Sequence, residues 1–462
     1  MKDYHSLKLL ELREIAKEKG IKSPYKYRKK DLIQVLEDLG EEEACDDRTP
    51  SSTEEGEKEK EKEREKDKEK DKEKDKDKVR KDLPSTTGHL EVMPDGYGFL
   101  RTEGDQGEKQ DYYMPAAHIK RFSLKSGDIV SGVVGDIRER DKYAPIIYIN
   151  TVNGTSPIEY SNRTDFDDLT PIYADERFRL EQGQGDLANR IMDLVAPIGK
   201  GQRGLIVSPP KAGKTTLLKS VAHAIENKYP EVFLFILLID ERPEEVTDFE
   251  RSVNINRSPD DPVRTEVIAS TFDKMAQNHI ETAEKLLDRT KRLVESGQDV
   301  FILLDSLTRL SRAYNITTTP SGRTLSGGLD PVALYPPKAF FGAARNIDGA
   351  GSMTILATCL TDTGSRMDDM IYEEFKGTGN MEVHLSRELA ELRIFPAIDI
   401  FASGTRRDDL LLEDWEEKAI FRIRRQGRQG DPIEMIDQLI RLIRNTPSNR
   451  EFCDLIQQKY TN

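Results

Sequence analysis

The hydrophobic residues of this chain form three zones with different spacing. Residues 4 to 39 hold two amphipathic stretches at helical spacing, separated at Gly20, and predict a small helical module over residues 1–45. Residues 88 to 152 hold short β-like runs broken by glycine. From about residue 165 onward, wholly apolar runs alternate with helix-like segments, which is typical of an α/β domain. The pattern therefore predicts a multidomain protein.

The middle zone has the spacing of a small β-barrel. About five short strands occupy roughly 65 residues, and glycines separate them. Strands this short and this closely spaced favour an OB or cold-shock-like barrel, predicted here over residues 84–158. The clearest strand-like runs are Gly88–Val92, Tyr97–Leu100, Asp128–Val134 and Ile146–Ile149.

The third zone predicts a mostly parallel sheet. Its runs are apolar at consecutive positions, so both faces of each strand are expected to be covered by helices. We assign residues 159–462 to this α/β domain, including a helical part at its C-terminal end. The three strongest runs are Val232–Ile239, Val300–Leu304 and Met353–Ala357.

The composition predicts a charged linker and argues against disulfide-rich, metal-binding and membrane proteins. Acidic and basic residues alternate from Glu57 to Lys78 with no apolar residue among them, so residues 46–83 are expected to be a charged, disordered linker. The three cysteines are far apart and indicate neither a disulfide framework nor a metal site. The chain has no long apolar run and no signal peptide, which predicts a cytoplasmic protein without a membrane partner. A net charge of −14 argues mildly against bulk binding of nucleic acid, so any such site must be local.

A phosphate-binding loop follows the apolar run that ends at Val207. Residues 208–215 match the pattern G-x-x-x-x-G-K-[ST] except that Ser208 stands at the first glycine position. In such loops, backbone amides and a helix N-terminus surround the phosphates, the lysine reaches the β and γ oxygens, and the hydroxyl binds Mg²⁺. The sequence therefore predicts that a nucleotide is bound with Mg²⁺. The predicted nucleotide-binding residues here are Pro210, Lys211, Ala212, Gly213, Lys214, Thr215 and Thr216.

Two acidic residues end strands of the predicted sheet. Glu241 follows the run 232–239 and Asp305 follows the run 300–304. Ligands of α/β sheets lie beyond the carboxyl ends of the strands, so both side chains can face the phosphate loop. Asp305 is suited to bind Mg²⁺, and Glu241 to orient or deprotonate the attacking water. An acid at a strand end is more often a helix cap, but two such ends accompany the loop here.

An aromatic motif lies in the predicted barrel. Asp95–Arg101 places Tyr97 and Phe99 two residues apart, which puts both rings on one face of a strand. Neighbouring glycines let a base approach, and rings of this kind stack on unpaired bases. Together with Arg101 and the separate Tyr113, the motif predicts binding of single-stranded RNA, although a pair of core aromatics is the alternative.

Several long strings in this order resemble the Rho family of transcription termination factors. They are the phosphate loop, Leu238–Thr247, Leu303–Leu310 and Tyr372–Met381. The resemblance covers roughly residues 84–430 and extends more weakly to the N-terminal helices. It implies a RecA-like ATPase domain and a homohexamer that hydrolyses ATP in response to RNA, moves 5′ to 3′ and dislodges RNA polymerase. Transcription elongation factors are further implied partners. The stretch 254–263 is longer than the family pattern.

The same resemblance implies roles for individual residues. Lys214 would bind the β- and γ-phosphates, Thr215 and Asp305 would hold Mg²⁺, and Glu241 would activate water. Other implied roles are assistance at the phosphates by Lys211 and Arg242, stacking on adenine by Phe395, and an arginine finger, Arg406, that enters the neighbouring subunit's site. The implied primary RNA site, which prefers pyrimidines, comprises Tyr97, Phe99, Arg101, Tyr113, Lys142 and Tyr143. Two implied pore loops, Thr318–Asp330 and Asp362–Arg366, carry Arg323 and Arg366.

Two other hypotheses remain open from the sequence. A subunit of a rotary or secretion ATPase would share the strand, acid and loop arrangement. The aromatic motif at 95–101 and the absence of a long helical domain after residue 430 count against it. An RNA chaperone with a vestigial nucleotide site is the other alternative, and the intact residues Lys214, Thr215, Glu241 and Asp305 count against that one.

Overall fold

The computed structural model describes residues 84–103, 109–137, 141–253, 264–427 and 431–459. The predicted helical module 1–45, the whole of the linker 46–83 and the stretch 254–263 lie outside these residues. These described residues group as one compact unit. Its first part is a five-stranded antiparallel sheet in the order β3-β2-β1-β4-β5. The strands are β1 Ser85–Val92, β2 Gly98–Glu103, β3 Lys109–Met114, β4 Ile129–Val134 and β5 Ile146–Val152.

This sheet closes into the predicted OB-like barrel. The amide of Tyr113 in β3 donates to the carbonyl of Ala144, just before β5, over 2.9 Å, which joins the two ends of the sheet. Leu90, Leu100 and Met114 are buried inside together with Ile119 of helix α1 (Ala116–Arg121). Because side chains alternate along a strand, burial of Leu100 turns Phe99 to the outer face.

A connecting segment joins the barrel to the α/β domain. It contains helix α2 (Pro157–Tyr160) and the short strands β6 (Pro171–Ile172) and β7 (Arg177–Phe178). β7 pairs with β8 (Ile198–Gly199), and β6 pairs with β13 (Arg345–Ile347) at the edge of the large sheet.

The α/β domain contains the predicted parallel sheet. Its main path is β11-β10-β12-β14-β9-β15-β16, parallel from β11 to β15, with β16 antiparallel to β15. The RecA-like class predicted from the sequence is thus confirmed. The remaining strands are β9 Arg203–Ser208, β10 Phe233–Glu241, β11 Thr265–Thr271, β12 Val300–Asp305, β14 Ser352–Leu360, β15 Met381–His384 and β16 Gly404–Thr405.

Helices cover both faces of the sheet, which explains why its strands are apolar at every position. In β10, Leu234 and Ile236 pack in one apolar layer while Phe235 and Leu237 pack in the other. The helices are α3 Leu187–Val195, α4 Lys214–Lys228, α5 Pro243–Ser252, α6 Ala276–Glu295, α7 Leu307–Thr317, α8 Tyr335–Gly342, α9 Arg366–Lys376, α10 Arg387–Glu391, α11 Asp414–Gln426, α12 Pro432–Arg444 and α13 Asn449–Lys459. Among the described residues, none of the helices combines the length and apolarity needed to cross a bilayer.

The barrel contacts the α/β domain along helix α6. Gly127 of the barrel has φ +90°, and a Cβ there would lie 2.5 Å from the backbone nitrogen of Arg289. The two backbones therefore meet without an intervening side chain. Near the end of α6, the fully buried carboxylate of Glu295 accepts hydrogen bonds from Arg163 Nε and the Phe166 amide, both at 2.8 Å. Arg292 Nη2 lies 2.8 Å from the same carboxylate.

Replacing Glu295 by alanine is expected to destabilise this junction strongly. Arg163 and Arg292 are almost wholly buried, and loss of the carboxylate would remove the acid that pairs directly with both guanidinium groups. Breaking a buried ion pair by removing one partner costs roughly 3–5 kcal/mol. The free energy of unfolding in urea measures the effect. The control is Glu281→Ala, an exposed acid on the same helix, and equal losses in the two variants would contradict the prediction.

Candidate functional site

The predicted phosphate loop joins β9 to the N-terminus of α4. Gly213 caps the helix with φ +94°, and Lys211 also has a left-handed backbone with φ +66°. No atom lies within 4 Å of the position of a Cβ on Gly213, so this glycine is required by its φ rather than by space. Ser208, in contrast, does not have a positive φ and is fully buried. Serine therefore replaces the usual first glycine without backbone strain.

Lys214 connects the loop to both acidic strand ends. Its Nζ lies 2.5 Å from Oδ1 of Asp305 and 3.3 Å from Oε1 of Glu241. The two acids are neighbours because β10 pairs with β12, and both side chains are almost completely buried. Burial opposes the charge of Lys214, but Asp305 and Glu241 outweigh it and raise the pKa of this lysine. The structure thus brings together three predicted active-site residues.

Glu241 has the electrostatic surroundings expected of a base. Burial and the neighbouring Asp305 carboxylate raise the pKa of Glu241, whereas Lys214 and Arg309 act in the opposite direction. A raised pKa lies closer to neutral pH, and a general base works best when its pKa is near the pH of the reaction. Thr358 fixes the other acid by donating to Oδ1 of Asp305 over 2.8 Å.

Arg309 of α7 is a site residue that sequence reasoning missed. Its Nη1 lies 3.3 Å from Oε2 of Glu241 and also donates to the carbonyl of Asp240. Asp240 has φ +58° and is the extra residue where the pairing of β10 with β11 shifts register. Bulges of this kind re-aim the side chain that follows them, here Glu241. Arg309 therefore holds the backbone and the carboxylate of the predicted base.

The remaining predicted nucleotide contacts lie around this edge of the sheet. Thr215 is half-buried and Thr216 exposed in the first turn of α4, and Pro210 and Lys211 are exposed in the loop, where Ala212 is buried. Arg242 is exposed and pairs with Glu245 at 3.2 Å. Phe395 is 43% exposed. Three residues after Phe395, Ile398 forms an isolated β-bridge with Leu385. The amide of Leu385 donates to the carbonyl of Val207, just before the phosphate loop, so this segment is anchored beside the loop.

Arg406 lies at the opposite end of the sheet. It follows β16, and its amide donates to Asn380, whose own amide donates to Arg203 at the start of β9. The side chain is exposed beside a surface depression of about 250 Å³ that is also lined by Glu382 and Arg424. Within the part of the chain that the structure describes, its guanidinium forms no salt bridge. Arg406 is thus outside the cluster formed by Lys214, Glu241 and Asp305.

Four predicted RNA-binding aromatics form one cluster on the outer face of the barrel. Phe99 of β2 lies 5.8 Å from Tyr97 and 6.4 Å from Tyr113, centroid to centroid, and 5.0 Å from Tyr143. All four rings are half-buried, unlike the core residues of the opposite face. The motif predicted that Tyr97 lies within the strand, but β2 begins one residue later, at Gly98. The ring of Tyr97 nevertheless belongs to the cluster. This arrangement favours a binding face over the alternative of core aromatics.

Two basic side chains border the aromatic cluster. The guanidinium of Arg101 lies 5.1 Å from the Phe99 centroid, and Lys142 Nζ lies 5.3 Å from that of Tyr143. Cations in such positions can reach the phosphates of a strand whose bases stack on the rings. Arg101 also pairs with the carboxylates of Glu91 and Asp111.

The two predicted pore loops lie against each other. A Cβ on Gly327 would come within 2.5 Å of the backbone nitrogen of Met367, so the loop 318–330 touches the start of α9. Arg323 and Arg366 are both exposed. Arg312 of α7, which the sequence did not indicate, binds Asp368 and Ser365 at the second loop. Helix α7 thus runs from Asp305 to these loops.

The donor set fits Mg²⁺ held with a nucleotide rather than by protein alone. Among the described residues, no group of three or more His, Cys, Asp and Glu could hold a metal ion. Mg²⁺ in nucleotide sites takes one or two protein oxygens together with phosphate oxygens and water. The buried carboxylate of Asp305 and the hydroxyl of Thr215 are the candidate oxygens.

Comparisons with known families match three parts of the chain. Residues 3–43 match the Rho termination factor N-terminal domain, and residues 86–158 match the Rho termination factor RNA-binding domain. Residues 188–405 match the nucleotide-binding domain of the ATP synthase alpha/beta family. A solved structure of a prototypical ATPase from the type III secretion system of pathogenic bacteria has a TM-score of 0.52 at 21% identity, covering 70% of this chain and 94% of the other. This last likeness is one of fold.

Relatives similar along most of their length identify the family. Transcription termination factor Rho from Bacillus subtilis is 50% identical over 82% of this chain and 87% of that protein. The Rho protein of Aquifex aeolicus is 50% identical over 79% of this chain and 83% of the relative. That of Escherichia coli is 46% identical over 80% and 87%, respectively. The chain therefore belongs to the Rho family of transcription termination factors.

Proposed function

We propose that this chain is an RNA-dependent ATPase that binds single-stranded, pyrimidine-rich RNA and uses ATP hydrolysis to terminate transcription. The observation that carries the proposal is that two sites occupy one compact unit. One is the aromatic face around Phe99, and the other is the contact of Lys214 with Glu241 and Asp305. Family membership connects them, because its relatives are named as transcription termination factors.

The proposed hydrolytic step uses residues that already face one another. Lys214 would move from the two carboxylates to the β- and γ-phosphates of ATP, which would free Glu241 to accept a proton from water. Thr215 and Asp305 would hold Mg²⁺, which supplies charge stabilisation at the phosphates. Arg309 would keep the Glu241 carboxylate directed at the loop, and Phe395, Lys211 and Arg242 would contact the nucleotide.

The proposed assembly is a homohexameric ring that moves along RNA from 5′ to 3′. Arg323 and Arg366 are exposed on adjoining loops, and both would contact the RNA backbone in the pore. Arg406 would complete the nucleotide site of a neighbouring subunit. RNA polymerase and transcription elongation factors are the proposed partners during termination.

The two alternative functions are less well supported. The likeness to the secretion ATPase is one of fold, whereas the barrel matches the Rho termination factor RNA-binding domain. A vestigial nucleotide site would not be expected to keep Lys214 in contact with both carboxylates.

Replacement of Phe99 by alanine tests the RNA site directly. We expect the affinity for a fluorescent oligocytidylate to fall by ~1–3 kcal/mol, the usual contribution of one stacked base, while ATP affinity stays unchanged. Because the ring is half-buried on the outer face, the thermal midpoint should change little. The control is Tyr173→Ala, which removes an aromatic ring that is 67% exposed outside this cluster. Unchanged RNA affinity in a folded Phe99→Ala protein would remove this face from the proposal.

A further inference from the structure

The RNA face of the barrel carries acids as well as rings and cations. Register places Glu91 opposite Phe99, and Asp111 opposite Arg101, so these side chains share the outer face. Nε of Arg101 donates to Oε2 of Glu91 over 2.8 Å, and its Nη1 donates to Asp111. A guanidinium engaged in this way must give up carboxylate partners before it can bind a phosphate. The acids therefore oppose RNA binding at Arg101.

The other oxygen of Glu91 points to the α/β domain. Oε1 lies 3.3 Å from Nζ of Lys285, which projects from α6. The two side chains meet across a cleft of about 690 Å³ between the barrel and this helix, lined also by His89 and Arg289. Although burial opposes it, Arg101 and Lys285 together lower the pKa of Glu91, so its carboxylate remains charged near neutral pH. One carboxylate is thus shared between cations of two domains.

Sharing means that the two cations compete for one negative charge. When Lys285 holds Glu91, the attraction between Glu91 and Arg101 is weaker, and Arg101 is freer to bind a phosphate. We propose that Glu91 and Lys285 are positioning residues that set the RNA affinity of the barrel through Arg101. The inference rests on the proposed function, because it specifies how the RNA site of that function is tuned from the ATPase domain.

Linkage makes the effect reciprocal. RNA that captures Arg101 leaves Glu91 entirely to Lys285 and so strengthens the contact between the barrel and α6. Any change in the α/β domain that draws Lys285 away from Glu91 must then weaken RNA binding by the same factor. Occupancy of the aromatic face and closure of the cleft therefore stabilise each other.

A double-mutant cycle on the full-length chain tests the inference, with a fluorescent oligocytidylate as probe. Lys285→Met keeps the length of the side chain but removes its charge, and should weaken RNA binding about two- to fivefold, the range of an exposed ion pair. Glu91→Gln should strengthen binding. In the Glu91→Gln background, Lys285→Met should have no more effect than the control Lys274→Met, which removes a lysine paired with Asp273 alone among the described residues. Both positions are exposed, so the thermal midpoints should stay close to that of the unmodified protein.

The possible outcomes separate the inference from the proposed function. Loss of affinity in Lys285→Met that disappears with Glu91→Gln supports the inference. The same loss in both backgrounds would show that Lys285 binds RNA directly, and would overturn it. Equal affinities of Lys285→Met and Lys274→Met would also overturn it. An unmodified chain that fails to bind the oligonucleotide would contradict the proposed function and the inference together, whereas normal binding without coupling would contradict the inference alone.

Discussion

Replacement of Arg406 by alanine is expected to reduce ATP hydrolysis by roughly 10³–10⁵-fold, the range of arginine fingers in phosphoryl transfer. The guanidinium would stabilise charge that develops on the γ-phosphate, and this stabilisation is lost with the side chain. Binding of a fluorescent ATP analogue should persist, because Lys214 and the loop amides are unchanged. Single-turnover hydrolysis and equilibrium binding measure the two quantities separately.

The sheet explains why we propose that Arg406 acts on a neighbouring subunit. Arg406 is anchored beside Arg203, at the start of β9, whereas the phosphate loop follows Ser208 at its other end. At about 3.3 Å per residue, the strand separates them by roughly 17 Å along its axis, which is more than an arginine side chain can reach. The exposed guanidinium is instead available to another subunit.

Mixing two inactive variants distinguishes action on a neighbour from action within one subunit. In the proposed ring, a mixture of Arg406→Ala and Lys214→Ala subunits would contain some interfaces where an intact loop meets an intact arginine. Part of the activity should therefore return. Continued inactivity in rings shown to be mixed would contradict the assignment to the neighbouring site.

Replacement of Glu241 by glutamine is the second large effect that we expect. Loss of a general base lowers turnover by about 10²–10⁴-fold, while the amide keeps the shape of the side chain. ATP and RNA affinities should remain, since neither depends on this carboxylate as a base. The control is Glu244→Gln, an exposed acid three residues along the chain.

The pH dependence of hydrolysis gives an independent check on Glu241. Burial and Asp305 raise its pKa, so the active carboxylate form is present above this raised value and is lost as pH falls through it. The acid limb of turnover should therefore lie at higher pH than the ordinary pKa of a glutamate. The residual activity of Glu241→Gln should lack that limb. An acid limb at the same pH in both proteins would contradict the role of Glu241 as base.

Sequence patterns predicted the strands that are buried on both faces but missed a more polar one. The run 232–239 became β10 with little change, because a strand covered by helices is apolar throughout. β3 begins with Lys109, Gln110 and Asp111, and no apolar alternation marks its start. Only pairing with β2 and closure onto Ala144 define it as a strand.

The contacts among the predicted catalytic residues could be anticipated where the neighbouring sequence marks the end of a strand or a phosphate loop. Lys214, Glu241 and Asp305 each follow an apolar strand or a glycine loop, and the structure places them in contact. Arg309 could not be found in this way, because its role depends on Asp240, which bulges from another strand. Glu91 gave no signal either, since its partner Lys285 is nearly two hundred residues away.

The most direct test of the account is ATP hydrolysis by the unmodified chain with and without polycytidylic RNA. The account predicts slow hydrolysis by the protein alone and strong stimulation by this RNA, because RNA binding at the aromatic face is proposed to be coupled to hydrolysis at the nucleotide site. The stimulation should be lost in Lys214→Ala, which shows that the activity belongs to this site. Hydrolysis that is equally fast with and without RNA, or absent under both conditions in a folded protein, would contradict the account.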